Sequence, residues 1–451
     1  MKVFKFGGGT LKNADTIRQM TEIVRDSGLG DSGFTGSVPE QSRRGDSELV
    51  VVISAFNKMT NAFEGLLKEL DSDDINLRLD KILDYHREIA EQLLIDSDIF
   101  WREIILPLIA ELKETLQKAR NYPYDQAYDQ VVSFGEIFST HLISAFWIQE
   151  GLNHSFHDAR KLIITDETYR EGKVNWKETA KKIKSIPESS LRLCSGTGSV
   201  NPESRVPNPE SLILTQGFIA GTQSGFSATL GREGSDYSAA IFGHILDVER
   251  VVIWKDVPGV LTADPEEFED TCKMDEISYL EAVELSYFGA KIIHPNTIKP
   301  LQNKGIPLIV KSLFDPDASG TVILKKAGKA PDLPVIIRKR NQVLVSIQPR
   351  DFSFIVEDAL ANVFSILARN QSRINLMQHG AVSISLVIDW DQKKLDAILE
   401  ALLPDFKVLY NTGLELLTIR HYTKAVINDL TKGKRIYVQQ QSRKTARFVL
   451  G

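Results

Sequence analysis

Met1-Lys2-Val3-Phe4-Lys5-Phe6-Gly7-Gly8-Gly9-Thr10 opens the chain and decides how the rest is read. Val3 to Phe6 have the make-up of a short buried strand interrupted by one lysine. Three glycines and Thr10 follow, and Ile17, Met20, Ile23 and Val24 then recur at helical spacing within Ala14 to Val24. Strand, glycine turn and helix is the arrangement that turns backbone N–H groups and a helix N-terminus toward an anion. Lys5, on the strand just before the turn, adds a point charge. Read alone, the stretch equally admits a plain β–α turn with a surface lysine. It is neither a Walker A loop, which closes on Gly-Lys-Ser/Thr, nor a Gly-x-Gly-x-x-Gly fingerprint.

With 451 residues the chain is expected to hold two or three domains, and 42% hydrophobic residues suffice for sizeable cores. A net charge of −6 argues against a nucleic-acid partner. Only two cysteines occur, Cys194 and Cys272, without metal-ligand spacing, as suits a reducing cytoplasm. No signal-peptide pattern is read at the N-terminus, and no apolar run is read as long enough to span a bilayer, so no membrane partner is expected.

Beyond a Gly/Ser-rich stretch at 27–47, read as a mobile loop, Leu49 to Ile53 form an apolar run typical of a parallel-sheet strand. Ser54 and Thr60 follow it, where open α/β sheets bind ligands, although a helix cap is the plainer reading. Residues 62–119 are helical by spacing, and the next helix carries Val131 to Glu136. Glu136 sits among apolar neighbours and needs a partner, either a structural cation or a substrate amino group. Leu162 to Ile164 read as a strand ending in Thr165-Asp166, preceded by Asp158-Ala159-Arg160. A second insertion, 194–210, reads as disordered. Gly231-Arg232-Glu233-Gly234-Ser235-Asp236 has the chemistry of a phosphate loop: glycines for close approach, an arginine, and Ser235 and Asp236 expected to cap the next helix. Asp236 alternatively suits hydrated Mg²⁺ or a substrate ammonium. Lys255 to Pro265 form a loop after the strand Val251 to Trp254, suited to a base and ribose, and Lys291 is a candidate phosphate ligand.

Six motifs occur in order: Lys5-Phe6-Gly7-Gly8, Ser133-Phe134-Gly135-Glu136, Asp158-Ala159-Arg160 with Thr165-Asp166, Gly231-Arg232-x-Gly234-Ser235-Asp236, Asp256-Val257-x-Gly259-Val260-x-Thr262-Ala263-Asp264-Pro265, and Gly289-Ala290-Lys291-x-x-His294-Pro295. Together they closely resemble the aspartate kinases, enzymes of the amino-acid-kinase fold. The resemblance implies an α/β fold, with an open, mainly parallel sheet between helices, followed by a ferredoxin-like α+β ACT region. It implies MgATP as phosphoryl donor and L-aspartate as acceptor, yielding 4-phospho-L-aspartate for lysine, threonine and methionine synthesis. By position, Ser54, Thr60 and Glu136 would hold aspartate, with Arg160, Asp166, Gly234 and Ser235 in support. Lys5, Gly7, Gly8, Gly9, Gly231, Arg232 and Lys291 would surround the phosphates, Asp236 would join them in catalysis, and Lys255, Asp256 and Leu261 would line the nucleoside site. Magnesium would travel with ATP rather than on dedicated side chains. A carboxylate is already a nucleophile, so positioning and cations should carry the chemistry, and Lys5→Ala is expected to stop transfer with the fold intact. The chain departs from the family at Glu233, where glycine is usual.

The catalytic domain is expected at 1–325. Residues 322–340 read as a basic linker before an ACT region at 335–451, its first unit at about 340–411 and a shortened second at about 412–451, without its last helix. The matching effector positions are Asn375, Gln378 and Ala381, for lysine, threonine or methionine, and the resemblance implies a homodimer or a dimer of dimers. The alternatives are an amino acid kinase with another carboxylate substrate and a catalytically inactive amino-acid sensor.

Overall fold

The computed structural model describes every residue except 28–47, 73, 194–211, 291, 292, 328–332, 352 and 353. The expectations for the 27–47 loop, the 194–210 insertion and Lys291 therefore lie outside the described residues, apart from Ser27, which ends the first helix, Ala14–Ser27.

Contacts divide the chain into two units. The first holds Met1–Val260, Lys273–Val283 and Ile292–Gly328, and the second holds Leu261–Cys272, Glu284–Lys291 and Lys329–Gly451. The division is thus not a single cut near 325. Two short pieces, Leu261–Cys272 and Glu284–Lys291, group with the second unit: Ile336 N–H donates to Thr262 O at 2.7 Å, and Arg420 Nη1 lies 2.9 Å from Glu284 Oε2.

In the first unit an eight-stranded sheet runs Ser155–His157, Leu212–Gln216, Leu49–Ile53, Lys2–Phe6, Arg250–Lys255, Leu308–Ser312, Thr321–Leu324, Glu276–Ser278. All pairings are parallel except Leu308–Ser312 with Thr321–Leu324. The adjacent interior strands Lys2–Phe6 and Leu49–Ile53 are buried throughout, which explains their apolar runs. Phe6 stacks on Trp254 at 5.8 Å, both inside the core, each burying about 2 kcal/mol of apolar side chain.

Several local readings change. The helical region is cut into Met59–Lys68, Ile75–Leu93 and a run from Ser97 to Ala119 with a π-helical turn at Trp101–Ile105. Glu136 does not share a helix with Val131: one helix ends at Val132, and another, Phe134–Gln149, starts after Ser133. Leu162 ends a short helix, Ala159–Leu162, and only Ile164–Thr165 are strand, because Asp158 caps that turn by accepting from Arg160 N–H. One stretch, Tyr124–Gln149, does reach the length and apolarity of a membrane span, contrary to the sequence reading, but 78% of its apolar window is buried in the protein.

The second unit has one six-stranded sheet in the order Ile374–His379, Ile384–Asp389, Val335–Pro349, Phe406–Arg420, Thr445–Leu450, Ile436–Gln441. Val335–Arg340, read as linker, begins a 15-residue strand. The boundary near 411 also vanishes, because Phe406–Arg420 is one continuous strand. The first four strands have the order of a ferredoxin-like βαββαβ unit, with helices Glu357–Arg369 and Gln392–Leu402. The second half repeats it with strand 416–420, helix Lys424–Thr431 and the hairpin Ile436–Leu450. Its fourth-strand place is filled by Val335–Lys339, paired antiparallel to Leu416–Arg420. The shortened unit is completed by residues that precede the first.

Candidate active site

The glycine turn is closed on itself: Thr10 N–H, Leu11 N–H and Thr10 Oγ1 all donate to Gly7 O, at 3.0, 3.1 and 2.6 Å. Gly8 is demanded by crowding, since a Cβ there would meet Ala55 O at 2.4 Å and Asn57 O at 2.8 Å. At Gly7 a Cβ would come 3.1 Å from Lys5 Nζ, whereas at Gly9 the nearest atom, Asp256 Oδ2, would be at 3.7 Å. The backbone of strand Leu49–Ile53's exit loop therefore packs directly on the turn.

Lys5 is buried on its strand, and its Nζ lies 2.5 Å from Asp236 Oδ1. Lys255 Nζ is 3.8 Å from the other oxygen, Oδ2. Burial alone raises the Asp236 carboxyl, but Lys5 and Lys255 together hold it below the usual carboxylate range. Asp256 stands at the outer edge, 3.9 Å from Lys12 Nζ, half exposed.

Ser235 and Asp236 are not helix caps. The helix is Gly234–Leu246, so both lie inside its first turn, and the N-cap is Glu233, without a side-chain cap bond. Glu233 takes the left-handed conformation (φ 54°, ψ 31°), and Gly231 has φ +77°. Arg232, exposed, sits between two left-handed residues. Gly234 and Ser235 are packing positions: a Cβ on Gly234 would strike Phe218, and Gly217 gives way to Ser235.

Glu136 is 2% exposed, in the first turn of its helix. Its Oε1 accepts from Ala55 N–H at 3.3 Å, and its Oε2 has no hydrogen-bond partner. Among the described residues it forms no ion pair. Burial pushes its carboxyl up to about 8, against the pull of the Ala55 N–H and the positive charge of Lys5. Ser54 is buried beside it: Ser139 Oγ, one turn along from Glu136, donates to Ser54 O at 3.1 Å. Thr60 is half-buried at the start of Met59–Lys68.

The other expected residues are differently placed. Arg160 is engaged by its own neighbour: Nε and Nη2 bind the Asp158 carboxylate at 2.8 to 3.1 Å. Asp166 is exposed and staples its own loop, accepting from Thr168 N–H, Thr168 Oγ1 and Lys173 N–H. Leu261 belongs to the second unit. In that unit Asn375 is buried with its amide saturated: Nδ2 donates to Gln342 Oε1 and Asp389 Oδ1, and Oδ1 accepts from Lys339 Nζ. Gln378 and Ala381 are exposed.

Sequence reading missed Asp129. It is fully buried, and it accepts from Arg170 N–H (2.9 Å), Thr229 N–H (2.9 Å) and Thr229 Oγ1 (2.7 Å). It thereby pins the helix before Glu136 to the strand that leads into Gly231-Arg232. The only local signal is an acid between Tyr128 and Gln130 in a mixed helix that also carries Asp125, which by itself marks no role.

The donor set fits a polyphosphate. Gly8 leaves no room for a side chain, two lysines flank the buried Asp236, and Arg232 is exposed at the loop. Among the described residues no group of three His, Cys, Asp or Glu could hold a metal ion.

The model of the amino acid kinase family matches residues 1–312. Lysine-sensitive aspartokinase 3 of Escherichia coli (strain K12) is 30% identical over 388 residues, covering 86% of this chain and 78% of that protein. The chloroplastic aspartokinase 1 of Arabidopsis thaliana is 29% identical over 425 residues, covering 89% and 67%. Among solved structures, E. coli aspartokinase III in complex with aspartate and ADP (R-state) superposes with a TM-score of 0.78 at 26% identity, covering 100% of this chain and 96% of that one. The same protein with lysine and aspartate (T-state) gives 0.76 at 27% identity, covering 100% and 95%. Fold, glycine turn and relatives agree: the chain belongs to the amino acid kinase family, on its aspartokinase branch.

Proposed function

We infer that the chain is an aspartate kinase, transferring the γ-phosphoryl group of MgATP to the β-carboxylate of L-aspartate to give 4-phospho-L-aspartate and ADP. The observation that carries the substrate reading is Glu136, a buried carboxylate with one oxygen unpartnered and no ion pair among the described residues, which suits an ammonium. Ser54 and Thr60 complete that pocket. Lys5, the Gly7–Gly9 turn, Gly231 and Arg232 surround the phosphates, while Asp236 holds Lys5 and Lys255 in register. Lys255 and Asp256 serve the nucleoside side. Arg160 and Asp166 act by shaping their loops.

In the reaction a β-carboxylate oxygen forms a bond to the γ-phosphorus as the bond to the β-phosphate oxygen breaks, and ADP leaves with the electron pair. No proton has to move, so no general base is required. Magnesium on the phosphates supplies charge neutralisation and in-line geometry. Lys5 and Arg232 stabilise the negative charge that spreads over the migrating group.

We also propose that residues 1–325 are chiefly catalytic and that the second unit is regulatory, reading an amino acid (lysine, threonine or methionine) in a cytoplasmic homodimer. The ferredoxin-like strand order and the lysine complex of the E. coli relative support this. The test is hydroxylamine trapping of acyl phosphate from MgATP with aspartate, glutamate or N-acetylglutamate, repeated with lysine, threonine or methionine added. Hydroxamate from aspartate alone is expected. None from any acid, with a folded protein, overturns the kinase reading in favour of a sensor.

A further inference from the structure

The second unit contains a cavity of about 850 Å³, in the size range of small-molecule sites. Its charged lining is Glu284, Arg420, Arg443, Lys444 and Arg447, with the ring of Phe288 between them. Arg420 is already compensated: its Nη1 lies 2.9 Å from Glu284 Oε2 and 3.0 Å from Thr445 Oγ1. Among the described residues, the other three cations have no carboxylate partner.

Arg447 is the most telling of them. Its guanidinium lies 4.9 Å from the Phe288 ring centre, and it donates from Nη2 to Asn375 O at 2.6 Å and from Nε to Thr418 Oγ1 at 3.3 Å. Two of its five N–H groups are thus used, both on neutral acceptors, and the ring and the strand hold the fork in a fixed plane. Burial disfavours its charge. Arg443 and Lys444 are exposed in the turn between strands Ile436–Gln441 and Thr445–Leu450. A preorganised arginine fork with two exposed cations at its rim matches an anion of several charges with closely spaced oxygens.

We propose that this cavity binds a small phosphorylated molecule, its phosphate oxygens held by Arg447, Arg443 and Lys444. The site is independent of the kinase reading, since it rests on second-unit residues and is read by binding. The experiment is calorimetric titration of the full chain with inorganic pyrophosphate, wild type beside R443Q/K444Q, both substitutions being exposed and outside the core. We expect a binding step that weakens tenfold or more in R443Q/K444Q, while the KM for MgATP stays within twofold. Identical isotherms for the two proteins, or equal binding of succinate in place of pyrophosphate, overturn the proposal. Kinase failure with this binding intact would refute the proposed function alone.

Discussion

Two buried carboxylates of the first unit, Asp236 and Glu136, meet opposite fates. Asp236 has lysines at 2.5 and 3.8 Å and is held ionised, while Glu136, equally buried, has one backbone N–H and a carboxyl raised to about 8. The phosphate side carries its own counter-charge, so its lysines are aligned before any substrate arrives. On the proposed reading, an α-ammonium supplies the positive charge against which Glu136 ionises. That pairing would favour a substrate with a free amino group, since a buried carboxyl ionises readily only against a cationic partner.

Breaking the phosphate side should have the largest effect. Lys5→Ala leaves Asp236 with Lys255, 3.8 Å away, as its remaining counter-charge, and kcat should fall about 10³-fold. The expectation that the fold stays intact needs amending, because Lys5 neutralises a buried acid: a loss of about 3 kcal/mol in denaturant unfolding is expected. Unchanged turnover would remove Lys5 from the chemistry. Next, Asp129→Ala cuts the pin between the two sides, leaving the Arg170 and Thr229 donors unpaired, and should cost about 3 kcal/mol. An unfolding midpoint equal to wild type would show that the pin is idle. Glu136→Gln erases the comparison and should raise the aspartate KM about 30-fold while leaving the ATP KM nearly unchanged. It also removes a pH slope. A carboxyl raised from 4.5 to about 8 contributes stability that is full below 4.5 and lost as pH rises through 8, so unfolding free energies of the variant should decline less over that range. The smallest effect should come from Glu233→Gly, which relieves a left-handed non-glycine residue and should stabilise the chain by about 1 kcal/mol.

Legibility followed the same divide. Lys5, the glycine turn and Glu136 stood out because each breaks a local pattern: a charge in a strand, three glycines together, an acid in an apolar helix. Asp236 stood out too, although its place inside the helix rather than at its cap depends on Glu233 turning left-handed, which its residue type disfavours. Asp129 stayed hidden because its partners are 41 and 100 residues away. Arg160 looked like a ligand but closes its own turn on Asp158, a local bond that the sequence Asp-Ala-Arg equally permits. In the second unit, the strand Phe406–Arg420 was divided in reading because its middle, through Asn411-Thr412-Gly413, is exposed and polar; only pairing with Val335–Pro349 carries it through.

The most direct test of the asymmetry is proton release when aspartate binds. Calorimetry at pH 7 in buffers of differing ionisation enthalpy, with MgADP present, reads the number of protons lost. With the Glu136 carboxyl at about 8 in the free protein and ionised against the ammonium in the complex, binding should release nearly one proton in wild type and close to none in Glu136→Gln. Equal release from both proteins, or none from wild type, would contradict the pairing of Glu136 with the substrate ammonium.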